Sequence, residues 1–321
     1  MVDSKISKLP NFVYAGFPKT GSATITEIFK RHPEIFTTRQ KEINFFNSES
    51  KFQNGEKWFI DTYYATVNEQ PIVADNSIGY GTGLSNLTAE RIYSSLGKGT
   101  KFLFTLRDPV ERAFSQYLMA KNKGQFETLS FKEAIESAIA AAGEVDEAVL
   151  DEITRGSYHS NSEHLAIYRN RMYLWPSMYF RTISEYISKF GHDNVLVLFT
   201  HDLEHDLTGQ MKRIFDFLGV NEIEVDNSER HNEATTLKYP WLRKMLNIVY
   251  RNKVIREGVV HRLSLTSRKR LRRWLLSWNY KKNERKERVS KEDREQLIPF
   301  LRSDIEQLEQ LLNADLSAWK S

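Results

Sequence analysis

Between the apolar run Asn11–Phe17 and the amphipathic run Ala23–Arg31, the chain reads Gly16-Phe17-Pro18-Lys19-Thr20-Gly21-Ser22-Ala23-Thr24. A glycine-bearing turn that carries a buried strand straight into a helix aims successive backbone N–H groups, and the positive end of the helix, at one point. It therefore predicts an open α/β sheet with an anion at the strand's carboxyl end. The rest of the sequence repeats the theme. Apolar strands are expected at Pro71–Ala74, Thr100–Leu106 and Asn194–Phe199, and helices at Thr88–Leu96, Pro109–Ala120, Tyr173–Phe190 and Met211–Leu218. The helix Ala23–Arg31 closes before Pro33. Without hairpin dipeptides between the strands, this alternation predicts a three-layer α/β fold with a central parallel sheet flanked by helices. Ligands in such sheets gather at the carboxyl ends of the strands.

The first turn nearly spells a nucleotide phosphate loop. A Walker A loop has Lys and then Ser or Thr after its second glycine, whereas here Ser22 follows Gly21 and the lysine, Lys19, comes earlier. Lys19 is thus expected at the mouth of the turn, facing the reactive end of the anion, with Thr20, Ser22 and Thr24 as hydroxyl donors. A second element of the same kind, Thr105–Tyr117 (TLRDPVERAFSQY), also follows a strand and opens a helix with proline in its first turn. Arg107 at the strand end and Ser115 two helical turns on would converge on a second phosphate. The alternative is that Arg107 pairs with Asp108 or Glu111 and steadies the helix. Two anion elements on neighbouring strand ends imply a ligand with two separated phosphates.

With 321 residues, 40% of them hydrophobic, the chain can bury a large core, and 1–321 reads as one domain. A helical insertion falls within about 121–172, marked by the Ala- and Glu-rich stretch Phe126–Ile153. A basic helical segment is expected over about 238–290, before a final helix at Lys291–Leu312. The absence of cysteine excludes disulfides, thiolate metal sites and cysteine nucleophiles. No apolar run reaches bilayer-spanning length and the first residues lack the apolar centre of a signal peptide, so the expected compartment is the cytoplasm. The formal charge is only +4, yet Arg262–Arg294 holds thirteen Lys and Arg against four Asp and Glu. That region would suit an anionic polysaccharide or lipid headgroup, or would simply cover apolar surface with long basic stems.

The paired motifs PKTGSAT and LRDPVERAFSQY resemble the 5′-phosphosulfate loop and the 3′-phosphate motif of sulfotransferases that use 3′-phosphoadenosine 5′-phosphosulfate (PAPS). The similarity continues through Tyr173–Asp202, through Phe215–Val220 (FDFLGV) and through Glu292–Trp319, and is looser over Lys121–Met172 and Lys238–Val289. The resemblance implies a P-loop-like fold and no metal. It places Lys19 on the sulfonate end, Thr20, Gly21, Ser22, Ala23 and Thr24 around the 5′ end, and Arg107 and Ser115 on the 3′-phosphate. Arg39–Phe46 (RQKEINFF) resembles the segment of heparan-type glycan sulfotransferases that carries the general base, which lands on Glu42. His159, His164 and His231 are the histidine alternatives. Arg230, His231 and Asn232 are candidate nucleotide contacts, Arg230 foremost. The implied acceptor is a carbohydrate or glycolipid hydroxyl, or an amine.

Two departures bear on the acceptor and the source. Many glycan-acting relatives have Glu-Lys-Ser-Pro before a tyrosine, but this chain has Asp75-Asn76-Ser77-Ile78-Gly79-Tyr80, without the lysine. The cysteine pair of Golgi-resident relatives is also missing, which fits a cytosolic, bacterial enzyme. Leu271, Trp274, Leu275 and Trp278 share one helical face beside Arg272 and Arg273. They would either pack in the core or hold the enzyme peripherally at the inner membrane face. A nucleotide kinase would need the missing Walker lysine and magnesium ligands. A nucleic-acid-binding protein would explain the basic region but not the paired strand-end motifs.

Overall fold

The computed structural model of the chain describes residues 9–82, 85–122, 127–141, 162–228, 235–237, 280–282 and 287–321. Its centre is a five-stranded, all-parallel sheet in the order β2-β3-β1-β4-β5. The strands are β1 (Phe12–Tyr14), β2 (Ile35–Thr37), β3 (Ile72–Asp75), β4 (Lys101–Leu106) and β5 (Val195–Phe199). The side-chain period of two sorts their residues cleanly. Phe12, Tyr14 and Leu103 face one way, while Val13, Ala15, Phe102 and Phe104 face the other.

On the first face lie α1 (Ser22–Arg31), through Ile25, Ile28 and Phe29, and later the helix Leu207–Leu218, through Met211, Ile214 and Phe215. Between these two in sequence come two short helices, α2 (Glu49–Phe52) and α3 (Gly55–Phe59), followed by α4 (Ser85–Leu96), α5 (Pro109–Asn122), α6 (Phe131–Ala140), α7 (Ser162–Arg169), α8 (Phe180–Phe190) and α9 (Thr200–His205). Leu207–Leu218 is accordingly α10. The opposite face is covered by α4, α5 and α8, over which α11 (Lys291–Leu312) lies. Helices on both faces of a parallel sheet make the three layers anticipated from the sequence.

Helix ends follow local chemistry. Asp206 caps α10 by accepting from the Gly209 N–H at 2.9 Å, and Gly219 closes it in the left-handed conformation with φ 76. Ser130 and Glu133 form a reciprocal capping box at α6. In place of one helix over Tyr173–Phe190, the chain makes a π-helical turn at Asn170–Leu174, a tight turn at Trp175–Ser177 and then α8. Pro176, which supplies no N–H, sits inside the tight turn, and the break itself falls at Met178, whose backbone is extended (φ −100, ψ 99). β2 carries too little pattern to be read from three residues, and its strand character comes from pairing with β3 (Phe36 opposite Val73). In the basic segment, Tyr280–Lys282 is a strand antiparallel to Thr235–Leu237, so the helical expectation for about 238–290 does not hold there. Residues 238–279 and 283–286 of that segment, including the Leu271–Trp278 stripe, lie outside the described residues. No helix among the described residues is long and apolar enough to cross a membrane.

Candidate active site

All five strands end at one pole of the sheet, and the candidate residues are built from those ends. After β1 the backbone turns through Gly16 (φ 145), Lys19 (φ 77) and Gly21 (φ 88), three left-handed residues within six positions. Lys19 has a side chain and still adopts this conformation, a strain of the kind that persists where neighbours dictate the backbone. Gly21 is the N-cap of α1 and offers no side chain to its first turn, which also holds no acidic residue. The N–H groups of a first helical turn, with the positive helix end behind them, fit an anionic group. Ser22, Ala23 and Thr24 form that turn; Ala23 and Ser22 are at least partly accessible, as is the mouth they line.

Thr20 points the other way. Its side chain is fully buried, donating to the Phe17 carbonyl at 2.8 Å and meeting the Thr105 hydroxyl at 3.0 Å, which in turn lies 3.1 Å from the Tyr14 hydroxyl. The Thr200 hydroxyl, from the end of β5, is shared between the carbonyls of Thr20 (2.9 Å) and Leu106 (3.0 Å). A column of hydroxyls thus ties β1, β4 and β5 together beneath the turn. Thr20 contributes its backbone to the mouth, not its hydroxyl.

Arg107 leaves the end of β4, the direct neighbour of β1, and is partly exposed. Of the two acids that could engage it, Glu111 does so, accepting from Nε at 3.1 Å and Nη2 at 2.8 Å. Ser115, half-buried, follows one turn beyond Glu111 on the same face of α5. Asp108 has other duties. It caps α5 by accepting from the Val110 and Glu111 N–H groups at 3.0 Å each, and it pairs with Arg294 of α11. Tyr179 donates to the Arg107 carbonyl at 2.9 Å and packs its ring on Phe17 at 4.7 Å, bridging the segments that follow β4 and β1.

Behind them stands Arg112, with none of its surface exposed. Its guanidinium donates to the Ser177 hydroxyl (2.7 Å) and to the carbonyls of Met172 (3.0 Å) and Tyr173 (2.6 Å), and burial lowers its pKa to about 10. It remains charged near neutrality while anchoring the Trp175–Ser177 turn to α5.

Glu42 lies in the segment between β2 and α2, at φ 55. It is held there by its N–H donating to the Asn76 carbonyl (3.2 Å) and by the Gly79 N–H donating to its carboxylate (3.3 Å). The residue is exposed, with its carboxylate turned toward the Ile78–Gly79 backbone. Desolvation, together with the nearby Asp75 charge, pushes it above the usual glutamate range, against the opposing N–H groups of Gly79 and Ile78. Burial raises the Tyr14 phenol, under the turn after β1, well above its ordinary value, and the Glu42 charge adds to that. Two residues beyond Gly79, the Gly81 N–H donates to the Gly16 carbonyl at 3.0 Å, so the Glu42 shelf is stitched directly to the turn.

Sequence reasoning did not single out the residues that support this shelf. Asp75, fully buried at the end of β3, accepts from the hydroxyls of Ser77 (2.6 Å) and Tyr80 (2.8 Å), and burial raises its pKa to about 6. Asp304 of α11 caps α8 from across the fold, accepting from the N–H groups of Tyr179 (2.7 Å) and Phe180 (3.2 Å). The available signal was an acid closing an apolar strand or interrupting an apolar helix face. Of the other candidates, Arg230, His231, Asn232 and His159 lie outside the described residues, and His164 falls on α7, which packs on α6. No group of three or more His, Asp or Glu among the described residues is placed to hold a metal ion.

The chain is similar to several known proteins. A family model described as a sulfotransferase domain matches residues 9–262. Heparan sulfate glucosamine 3-O-sulfotransferase 3A1 of Homo sapiens is 25% identical over 248 residues, covering 76% of this chain and 52% of that protein. Membrane-associated sulfotransferase kil1 of Dictyostelium discoideum is 34% identical over 118 residues, covering 36% of this chain and 24% of that protein. The chain thus spans about half the length of the first of these relatives and less of the second. Among solved structures, a sulfotransferase from Alicyclobacillus acidocaldarius superposes with a TM-score of 0.62 at 21% identity, covering 98% of this chain and 99% of that one, a likeness of fold.

Proposed function

Since this chain belongs to the sulfotransferase family, we propose that it moves a sulfuryl group from PAPS to an acceptor hydroxyl, most simply on a carbohydrate. The observation that carries the reading is the pairing of two anion elements on the adjacent ends of β1 and β4, with the Glu42 carboxylate reaching over from the β3 side. PAPS supplies the activated sulfuryl group. The backbone of Thr20–Thr24 holds the 5′ end, and Lys19 neutralises the charge that develops on the departing phosphate oxygen, the step at which a fixed cation lowers the barrier most. Arg107 exchanges its contact with Glu111 for the 3′-phosphate, joined by Ser115. Glu42, its affinity for a proton raised by its surroundings, takes the hydroxyl proton as the acceptor oxygen attacks sulfur in line. The carbohydrate assignment draws support from the heparan sulfate enzymes among the relatives.

The test is ligand choice. Thermal stabilisation by 3′,5′-ADP without metal, and none by magnesium ATP, is the expected result, and the reverse would replace the sulfotransferase reading with a phosphoryl-transfer one. Screening glycans, lipids and phenols with labelled PAPS then identifies the acceptor.

A further inference from the structure

The Glu42 segment has little regular structure of its own, and two of its residues, Glu42 (φ 55) and Asn44 (φ 53), are left-handed without being glycine. Something outside the segment must impose that shape. Its backbone donors show what does. The Asn44 N–H donates to the Ser77 hydroxyl at 3.0 Å, and the N–H groups of Phe45 and Phe46 donate to the Tyr80 hydroxyl at 3.0 and 3.3 Å. Each hydroxyl has a single proton, and both protons go to the same acceptor, one to each oxygen of the Asp75 carboxylate. With the protons committed to Asp75, only lone pairs remain to face the main chain. Three amides of the segment are therefore held by two hydroxyls whose orientation a single buried carboxylate sets.

We propose that Asp75 is a positioning residue for the catalytic segment: acting through Ser77 and Tyr80, it fixes residues 44–46 and thereby the placement of the Glu42 carboxylate over the phosphate turn. The inference rests on the reading of Glu42 as the base. The clamp needs a side chain that accepts with both of its terminal atoms, which a carboxylate does and an amide does not. In Asp75→Asn the amide NH2 would face one of the two hydroxyls, which must then turn its own proton toward the segment and release an amide there. The groups facing Asp75 are Lys51, whose ammonium donates to the Ile43 carbonyl in the same segment, the Glu42 carboxylate, and the phenols of Tyr64, Tyr80 and Tyr186. Lys51 steadies the negative form, and the phenols stay neutral. Asp75 also acts on Glu42 through space, because its charge raises the Glu42 proton affinity.

The experiment uses the full chain and the variants Asp75→Asn and Tyr80→Phe, the second keeping the buried ring and removing only the bridge. Hydrogen exchange is followed at the amides of residues 44–46 with 3′,5′-ADP bound. Transfer of labelled sulfuryl from PAPS to a glucosamine-containing oligosaccharide is followed in parallel, in the wild-type and Glu42→Gln backgrounds. Expected are exchange at least about tenfold faster at 44–46, unchanged affinity for 3′,5′-ADP, a kcat about tenfold lower with an acid limb moved to lower pH in Asp75→Asn, and no further loss when Asp75→Asn is added to Glu42→Gln. Unchanged protection at 44–46 in both variants, or losses that multiply in the double variant, would overturn the proposal. Full turnover in Glu42→Gln removes the base reading instead, and the exchange measurement then still decides whether Asp75 holds the segment.

Discussion

Lys19 and Arg107 show how much a single side chain can be asked to do here. Lys19 occupies a strained left-handed position in a turn whose next helix has no side-chain cap, and Arg107 spends its guanidinium on an exposed partner, Glu111, that an incoming phosphate can displace. Surface ion pairs of this kind contribute little stability, so exchanging one for a phosphate costs little. Lys19→Ala is expected to lower kcat by about 100-fold or more while leaving 3′,5′-ADP affinity within a few-fold, because its work is done as charge develops. Arg107→Ala should instead weaken 3′,5′-ADP binding by about tenfold or more, the scale of a charge-assisted hydrogen-bond pair. Titration calorimetry beside steady-state rates separates the two, and wild-type values in either variant would contradict its assigned role. The placement of both residues just beyond a strand end was legible in the sequence because strand, turn and helix are consecutive there. The Glu111 contact was legible only as one of two choices.

Among the elements, the turn after β1 and the short helical turn Ile78–Gly81 are in backbone contact. A Cβ built on Gly81 would sit 2.1 Å from the Gly16 carbonyl oxygen, an overlap with main chain that no rotamer change relieves. Gly81→Ala is therefore expected to cost roughly 3 kcal/mol, at the upper end of overpacking penalties. It should also weaken 3′,5′-ADP binding, because relief requires the phosphate turn to move. Urea unfolding and calorimetry read the two effects, and a fully stable variant with wild-type affinity would show that the contact is dispensable. Most of the longer helices and four strands of the parallel sheet could be anticipated from periodicity, but not the short helices α2, α3 and α9. β2 could not, since three residues carry no period, nor could the break at Met178 be placed without seeing Ser177 held by Arg112 and bonded to the Pro109 carbonyl.

At the scale of the molecule, among the described residues two buried carboxyls, Asp75 and Asp304, have pKa values raised from the ordinary 3.8 to about 6, in each case chiefly by burial. The folded state then binds more protons than the unfolded state between about pH 4 and 6, so stability declines as pH rises through that window. Two pKa units correspond to about 3 kcal/mol per group. In the opposite sense, Glu27 is held at about 2 by Lys41 and Lys30, but it is exposed and its pairing fades only below the usual glutamate range. The urea midpoint is accordingly expected to be higher near pH 5 than near pH 7.5, and Asp304→Asn should flatten the difference. A midpoint that rises from pH 5 to 7.5 would contradict the assignment.

The sequence by itself determined the fold class and the two strand–turn–helix elements, because strand, turn and helix are encoded within a dozen neighbouring residues and need no distant partner to be read. Only the tertiary structure decided which groups stand behind them. The Thr20–Thr105–Tyr14 hydroxyl column, the Asp304 cap on α8 and the Asp75 clamp on the Glu42 segment join residues 33 to 125 positions apart. Their spacing follows no helical or strand period, and burial of a charge becomes visible only when the layers have closed around it.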